Sequence, residues 1–397
     1  MNSKNKPINN FSWGYYIFLI IFLGLLSAFG PFITDMYLPT LPSLVDIFDT
    51  SPSLIQMGLT TSMIGLAIGQ LIFGPLSDRL GRRPVLMAAM IIFSVSTIIC
   101  IYSTTIHFFN LCRFFQGLGG AGGIVLSRSI STDCYSGREL TKTLAIIGAV
   151  NGIAPVTAPV IGGLVAEEIG WKGIFWILLG IGSVLLFMCF IFRESHPQNK
   201  HQKGSTIAIL KNFGLLLKLR YFIIYVLIFA FANGILFSYI SSASFIIQNH
   251  FGYSELIFSL IFGVNALGIG LGAALCLKFK RLSNATIFGA TSALVIAVLQ
   301  FLSLSFVDSL IIYELITILI LMAIGFIFTA STTLAMEEGR EYVGVASALF
   351  GASGFLFGGI VSPLVGIGNI LSTTAVIMLI CSILMFIFAW IVFRRNK

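Results

Sequence analysis

The sequence predicts an all-α membrane protein whose twelve transmembrane helices form two pseudo-symmetric six-helix bundles. Hydrophobic residues make up 57% of the chain and charged residues only 10%, whereas soluble proteins carry about 25% charged residues. Apolar runs of about 20 residues recur along the chain, and this is the length a helix needs to cross a bilayer core. Because lipid offers the backbone no hydrogen-bond partners, each run must be a helix that satisfies its own backbone groups.

The predicted spans follow one another with short connections, except for one polar segment at 193–220. The spans lie at residues 15–38, 53–73, 85–103, 107–128, 142–165, 173–192, 221–246, 255–276, 285–306, 310–334, 343–366 and 371–393. We therefore expect an N-terminal bundle at 1–192, a cytoplasmic linker at 193–220 and a C-terminal bundle at 221–397. The glycine-rich eleventh span echoes the fifth, as in transporters built from repeats that enclose a midplane site.

The charge pattern predicts the orientation of the spans. The net charge is +8, and the basic residues cluster in alternate connections, which argues against nucleic-acid binding. The opposite connections are acidic, with Lys172 as their only basic residue; they carry Asp46, Asp49, Glu167, Glu168 and Asp308. By the positive-inside rule, both termini should be cytoplasmic. The six cysteines and four histidines are scattered, so we expect no metal site and no cofactor.

The connection between spans 2 and 3 carries the most specific motif. It reads Gly74-Pro75-Leu76-Ser77-Asp78-Arg79-Leu80-Gly81-Arg82-Arg83. This G-x-L-x-D-R-x-G-R-R pattern resembles the signature loop of the major facilitator superfamily. The resemblance implies a loop that latches the two halves, with Asp78 and Arg82 acting in it and Asp133 as a candidate partner of Arg82. The alternative is a basic anchor without a gating role.

Span 4 carries an arginine inside an apolar run. Arg113 begins the sequence Arg113-Phe114-Phe115-Gln116-Gly117-Leu118-Gly119-Gly120-Ala121, which resembles the superfamily pattern R-x-x-Q-G-x-G-x-A. An intramembrane charge is costly and survives only where it faces protein or water and finds partners. The resemblance implies that Arg113 acts beside a proton-carrying carboxylate. The alternative is a packing role, in which Arg113 binds backbone carbonyls of span 1.

Span 1 supplies the candidate carboxylate. Asp35 is the only acidic residue in the apolar part of the first six spans. Span 1 runs outward and span 4 inward, so Asp35 and Arg113 should lie at similar depth. An approaching guanidinium favours the charged carboxylate and its withdrawal favours protonation, so the two form a candidate proton switch. The alternative is that Asp35 marks the solvated end of the helix.

Span 5 is rich in glycine and proline. It reads Gly148-Ala149-Val150-Asn151-Gly152-Ile153-Ala154-Pro155-Val156-Thr157-Ala158-Pro159-Val160-Ile161-Gly162-Gly163. It resembles in part the antiporter motif that separates exporters from importers in the superfamily, although Ala158 precedes Pro159 where glycine is usual. Gly148, Pro159, Gly162 and Gly163 match best. Generic packing of small residues is the alternative.

The sequence at the end of span 1 resembles one particular branch of the superfamily. Asp35-Met36-Tyr37-Leu38-Pro39-Thr40-Leu41-Pro42 is similar to the Bcr/CflA branch of bicyclomycin and chloramphenicol exporters. This implies a monomeric, proton-coupled exporter of small amphipathic drugs in a bacterial inner membrane, driven by the proton gradient and not an enzyme. The alternatives are an exporter or a proton symporter of an endogenous metabolite or siderophore. The candidate cavity residues are Tyr37, Gln116, Asn151 and Asn233; Glu314 is placed at the outer start of span 10.

Overall fold

The computed structural model describes residues 12–135, 137–195, 214–306, 309–340 and 343–395. Within these ranges the chain forms twelve helices of 20 residues or more and no strand. They are α1 (Trp13–Asp35), α2 (Pro52–Leu80), α3 (Arg82–Ile101), α4 (Ile106–Cys134), α5 (Gly137–Ile169), α6 (Trp171–Ile191), α7 (Arg220–Ser244), α8 (Glu255–Cys276), α9 (Leu282–Phe306), α10 (Leu310–Glu338), α11 (Val343–Val365) and α12 (Ile370–Arg395). A 3₁₀ turn (Leu38–Thr40) and a short helix (Leu41–Ile47) follow α1, and a π-helical turn (Phe245–His250) extends α7.

Several helices begin where the sequence offers a capping side chain. Ser51, Thr105 and Ser254 each accept a hydrogen bond from the backbone three residues on, at the starts of α2, α4 and α8. These caps satisfy amide groups that would otherwise lack a partner at a helix start. Pro52 is the first residue of α2, where its missing N–H costs nothing.

The helices have the length and composition of membrane spans. Ten segments of the described chain are long and apolar enough to cross a membrane. The remaining two long helices are α4, which carries Arg113 and a run of glycines, and α5, part of whose side chains lie outside the described residues. The predicted all-α architecture with twelve long helices is therefore present.

The segment predicted as a loop at 74–83 is mostly helical, which corrects the predicted boundary of span 2. α2 continues to Leu80 and α3 begins at Arg82, so Gly81 alone separates the two helices. Gly81 adopts a φ of 97°, a region that glycine enters without strain, and its N–H donates to the carbonyl of Ser77 at 3.1 Å. The reversal of the chain thus needs a single residue.

The two sets of six helices repeat one packing scheme. In the first set α4 packs against α1, α2 and α3, and in the second α10 packs in the same way against α7, α8 and α9. Both α4 and α10 have 29 residues. Glycines let the central helices touch backbone to backbone: Gly117 of α4 lies against the Ser62 backbone of α2, and Gly325 of α10 lies against the Ile269 carbonyl of α8.

The halves meet through α2 on α11 and through α5 on α8. We call the end of the bundle that carries Asp46, Asp49, Glu167 and Glu168 the acidic end, and the end that carries Arg79, Arg82, Arg83 and Arg193 the basic end. From the acidic end towards the middle of the bundle, Ser53 donates to the Pro363 carbonyl at 3.0 Å and Thr60 to the Gly359 carbonyl at 2.8 Å. Gln56 donates to the Ser241 carbonyl at 2.9 Å, so polar contacts join the halves on this side.

Candidate functional site

Arg113 lies at the centre of a polar network inside the first bundle. The side chain is fully buried, and its Nη2 donates to the Ile33 carbonyl of α1 at 2.8 Å and to Ser62 Oγ of α2 at 3.3 Å. Its Nη1 donates to Gln116 Oε1 on its own helix. The guanidinium carbon lies 4.2 Å from the ring centroid of Tyr37, a cation–π distance. Arg113 therefore ties α1, α2 and α4 together.

Asp35 lies close to this network without joining it. Its carboxylate is buried and accepts a hydrogen bond from Thr34 Oγ1 at 2.7 Å. Arg113 binds the carbonyl of Ile33, two residues before Asp35, so the two side chains share a depth in the bundle. Asp35 and Arg113 form no ion pair in this structure. Arg113 instead binds a backbone carbonyl of α1, as the alternative packing role predicted. Its Nε is buried and makes no hydrogen bond, so one donor remains available.

Of the candidate cavity residues, Tyr37 and Gln116 belong to the Arg113 network in the first bundle, and Asn233 lies in the second bundle. Gln116 is fully buried and donates to Thr97 Oγ1 of α3 at 2.8 Å, so it faces a helix of its own bundle. Tyr37 lies beneath the Arg113 guanidinium. Asn233 donates to the Phe229 carbonyl of α7 at 2.9 Å and lies beside Gly354 of α11. The side chain of Asn151 lies outside the part of the chain that the structure describes.

The motif between α2 and α3 builds an ion-pair network at the basic end. The buried Arg82 pairs with Asp78 Oδ1 at 2.5 Å, at the end of α2, and with Asp133 Oδ2 at 2.8 Å, at the end of α4. It also donates to Ser77 Oγ at 2.6 Å. Asp133 is thus a partner of Arg82. Each contact joins elements of the first bundle, so in this structure the network fixes the ends of α2, α3 and α4.

Glu194 completes this network and was missed by the sequence reasoning, which placed it in the linker. Its two carboxylate oxygens accept hydrogen bonds from the backbone N–H groups of Arg82 and Arg83, each at 2.9 Å. A carboxylate here also complements the positive end of the α3 dipole. The start of the predicted linker is therefore part of the first bundle. A lone acidic residue just beyond span 6, among basic residues, was the available signal.

The remaining motif residues lie around the same turn. Arg83 donates from Nε to the Cys189 carbonyl at 3.0 Å and from Nη2 to the Phe190 carbonyl at 2.8 Å, which satisfies the end of α6. A side chain at Gly81 would place its Cβ 2.7 Å from Glu194 Oε2. Gly74 lies against Val125 of α4, and Arg79 is exposed in the last turn of α2.

The predicted antiporter helix α5 joins the Asp35 region to the second bundle. A Cβ at Gly162 would collide with the carbonyl of Met36, the residue after Asp35. A Cβ at Gly163 would collide with Ser259 of α8. Pro155 and Pro159 lie inside the helix, where each removes a backbone donor. The surroundings of Gly148 and Gly152 lie outside the described residues.

A family model described as Major Facilitator Superfamily matches residues 17–363, which is most of the chain. The chain belongs to the major facilitator superfamily. It is therefore a multi-pass membrane transporter of small molecules and not an enzyme.

Within the superfamily, this transporter is similar to several curated proteins. It is 37% identical over 366 residues to the uncharacterized MFS-type transporter YdgK of Bacillus subtilis (strain 168), with 91% of this chain and 90% of the relative covered. It is 30% identical over 364 residues to a bicyclomycin resistance protein homolog of Haemophilus influenzae (strain ATCC 51907 / DSM 11121 / KW20 / Rd), covering 88% and 89%. The similarity to a drug-resistance branch, which the sequence analysis based on Asp35 to Pro42, therefore extends over most of the chain.

A solved structure shares the fold. The crystal structure of a bacterial homologue of the human lysosomal transporter Spinster superposes with a TM-score of 0.76 at 18% sequence identity, covering 96% of this chain and 97% of that one. At this identity the match supports the architecture of the transporter and leaves its substrate open.

Proposed function

We propose that this transporter exports small amphipathic, drug-like compounds across a bacterial inner membrane in exchange for protons. The observation that carries the proposal is the arrangement of Asp35 and Arg113: a buried carboxyl group without a cationic partner lies two residues from the carbonyl that Arg113 binds. The bicyclomycin resistance homolog supports a drug-like substrate. The proton gradient supplies the energy, and no cofactor takes part.

We propose that proton exchange depends on the movement of one contact. In this structure the Arg113 guanidinium binds the Ile33 carbonyl, which leaves the carboxyl group of Asp35 bonded to Thr34. If α1 and α4 shift so that the unused Nε of Arg113 reaches Asp35, the ion pair favours release of the proton. Return of Arg113 to the carbonyl favours uptake. Opening of the cavity to alternate sides then makes uptake and release occur at opposite faces.

Orientation and gating follow from the two ends of the bundle. From the positive-inside rule we infer that the basic end and both termini are cytoplasmic. The contacts of Ser53, Gln56 and Thr60 with the second bundle then close the outer side. We propose that the Arg82 network holds the first bundle rigid while the bundles rock, and that the motif latches the halves when the inner side closes.

The test is substrate-driven proton movement in proteoliposomes with a pH-sensitive dye inside. Amphenicols, bicyclomycin-like compounds and lipophilic cations are added against an imposed pH gradient. Wild-type protein should move protons on addition of a substrate, and Asp35→Asn should not. Asp46→Asn, which removes an exposed carboxylate at the acidic end, serves as the matched control and should behave as wild type. Wild-type proton movement by the Asp35→Asn protein would contradict the proposal.

A second candidate, export or symport of an endogenous metabolite, shares the site but differs in substrate and direction. It is favoured if correctly folded protein ignores the whole drug panel. Uptake measured in intact cells then separates symport from export.

A further inference from the structure

The second bundle contains a polar network that mirrors the one around Arg113. In the first bundle, Arg113 of α4 bonds to Ser62 of α2 at 3.3 Å, and Gln116 bonds to Thr97 of α3 at 2.8 Å. In the second bundle, Glu314 of α10 bonds to Asn265 of α8 at 2.6 Å, and Gln300 of α9 bonds to Thr317 of α10 at 3.4 Å. The helices correspond one to one, but the central charge changes sign.

Glu314 is held on one side only. Its Oε2 accepts a hydrogen bond from Asn265 Nδ2 at 2.6 Å, and the same amide donates to the Tyr239 hydroxyl of α7 at 2.9 Å. Its Oε1 is buried and has no hydrogen-bond partner. The described lysines, arginines and histidines form no ion pair with it. One carboxyl oxygen is thus anchored and the other is unsatisfied.

Among the residues that the structure describes, no charged group compensates the carboxylate of Glu314. The helices α8, α9 and α11 contain a single acidic or basic residue, Glu255 at the start of α8. Among the described residues, the phenols of Tyr239 on α7 and Tyr313 on its own helix interact electrostatically with Glu314. An ionised carboxylate with an unsatisfied buried oxygen is costly in a membrane, whereas the neutral acid loses far less by burial.

We propose that Glu314 is a second proton-binding site, so that each bundle carries one proton-exchanging carboxyl group: Asp35 in the first and Glu314 in the second. This inference rests on the proposed proton exchange and extends it. The proton binds at the free Oε1 while Asn265 holds Oε2 in place. When the packing around α8 and α10 opens to water, the O–H bond breaks, the proton leaves to solvent and the hydrated carboxylate remains. Reprotonation restores the neutral acid, in which the half-buried Glu314 keeps its Oε1 away from water.

The test uses infrared difference spectroscopy of the full-length protein in lipid, between acidic and alkaline buffer. A protonated carboxyl group shows a carbonyl-stretch band that disappears on ionisation. Wild type should show bands from both sites, Glu314→Gln should lack one of them, and Asp35→Asn should lack the other. Glu168→Gln, which changes an exposed carboxylate, is the control and should leave both bands. A Glu314→Gln spectrum identical to that of wild type overturns the inference.

The variants also separate the inference from the proposed function. The Asp35 band in the Glu314→Gln protein shows that this variant is folded. If that band is lost as well, Glu314→Asp takes its place, because it keeps the carboxyl group and must shift the second band; an unshifted band overturns the inference. Absence of the Asp35 band from wild type contradicts proton exchange at Asp35 and leaves the band of Glu314 to be judged independently.

Discussion

At the scale of single residues, the site depends on how one buried cation is satisfied. Arg113 spreads its donors over a backbone carbonyl, a hydroxyl and an amide oxygen on α1, α2 and α4, and it stacks on Tyr37. A planar guanidinium suits this set of partners because its donors form a fixed fork, whereas an ammonium group is a compact point charge. The role of Arg113 therefore depends on its geometry as well as on its charge.

We expect Arg113→Lys to keep the charge and lose coupling. Arg113 reaches Ile33 and Ser62 from Nη2 and Gln116 from Nη1, whereas the donors of lysine all radiate from one nitrogen and do not match these positions. Each buried polar group left without a partner costs about 1–3 kcal/mol. Substrate-driven proton movement in proteoliposomes should fall at least tenfold, and the melting temperature should drop. Lys172→Arg, the reverse exchange at an exposed position, should change neither. Full coupling in the Arg113→Lys protein would show that the charge alone suffices.

Some of the residues of the site could be predicted from the sequence, but their contacts could not. The sequence indicated Asp35 and Arg113, because each is a charge inside an apolar run, whereas Arg82 and its candidate partner Asp133 came from the resemblance of the motif at 74–83. Helix rotation and side-chain geometry decide which donors meet which acceptors, and spacing along the chain does not encode them. That is why the separation of Asp35 from Arg113 and the polar partners of Glu314 required the structure.

At the scale of elements, small residues set the distance between helices. The twelve helices could be predicted from apolar length and charge, but their ends could not be placed closely, since the motif at 74–83 turns out to continue α2 and to open α3. A polar segment at the end of an apolar run can remain helical, so a fall in hydrophobicity does not mark the residue at which a helix ends. The cap that Glu194 places on α3 comes from a distant part of the chain and leaves no local pattern.

We expect Gly162→Ala to impair transport, because its Cβ would collide with the Met36 carbonyl and push α5 away from α1. Gly180→Ala in α6 is the matched control: no atom lies within 4 Å of the new Cβ, and alanine favours a helix over glycine by about 1 kcal/mol. Melting temperature and transport rate should fall for the first variant and hold or rise for the second. Equal behaviour of the two would show that the close approach of α5 to α1 is unimportant.

Loss of the Glu194 carboxylate should destabilise the basic end. Glu194→Ala leaves the N–H groups of Arg82 and Arg83 without acceptors, and removal of such a cap costs about 0.5–2 kcal/mol. The melting temperature of the purified protein should fall measurably, whereas Glu168→Ala at an exposed position should leave it unchanged. A Glu194→Ala protein as stable as wild type would mean that solvent replaces the cap.

At the scale of the whole molecule, alternating access requires an interface between the bundles that can open and close. On the side of the acidic end this interface is polar: Gln56 and Thr60 of α2 donate to carbonyls of α7 and α11, and Ser241 and Ser362 share a hydrogen bond of 2.6 Å. Net contributions of single hydrogen bonds are about 0.5–1.5 kcal/mol. A small set of such bonds can hold one state without trapping the transporter in it.

Weakening this polar interface should shift the transporter towards the state that is open at the acidic end. Gln56→Ala removes the bond to Ser241, and a shift of about 1.4 kcal/mol changes the ratio of the two states tenfold. The reporter is Met63→Cys, a fully buried position of α2 that faces Gly358 of α11, in a background without the six buried native cysteines. A membrane-impermeant maleimide added from outside should label this cysteine faster with Gln56→Ala than without it. Gln300→Ala, which breaks a bond inside the second bundle, should not change the rate. Equal labelling in all three proteins would show that these bonds do not control the closed state, and the apolar packing of α2 on α11 would then have to hold the two bundles together.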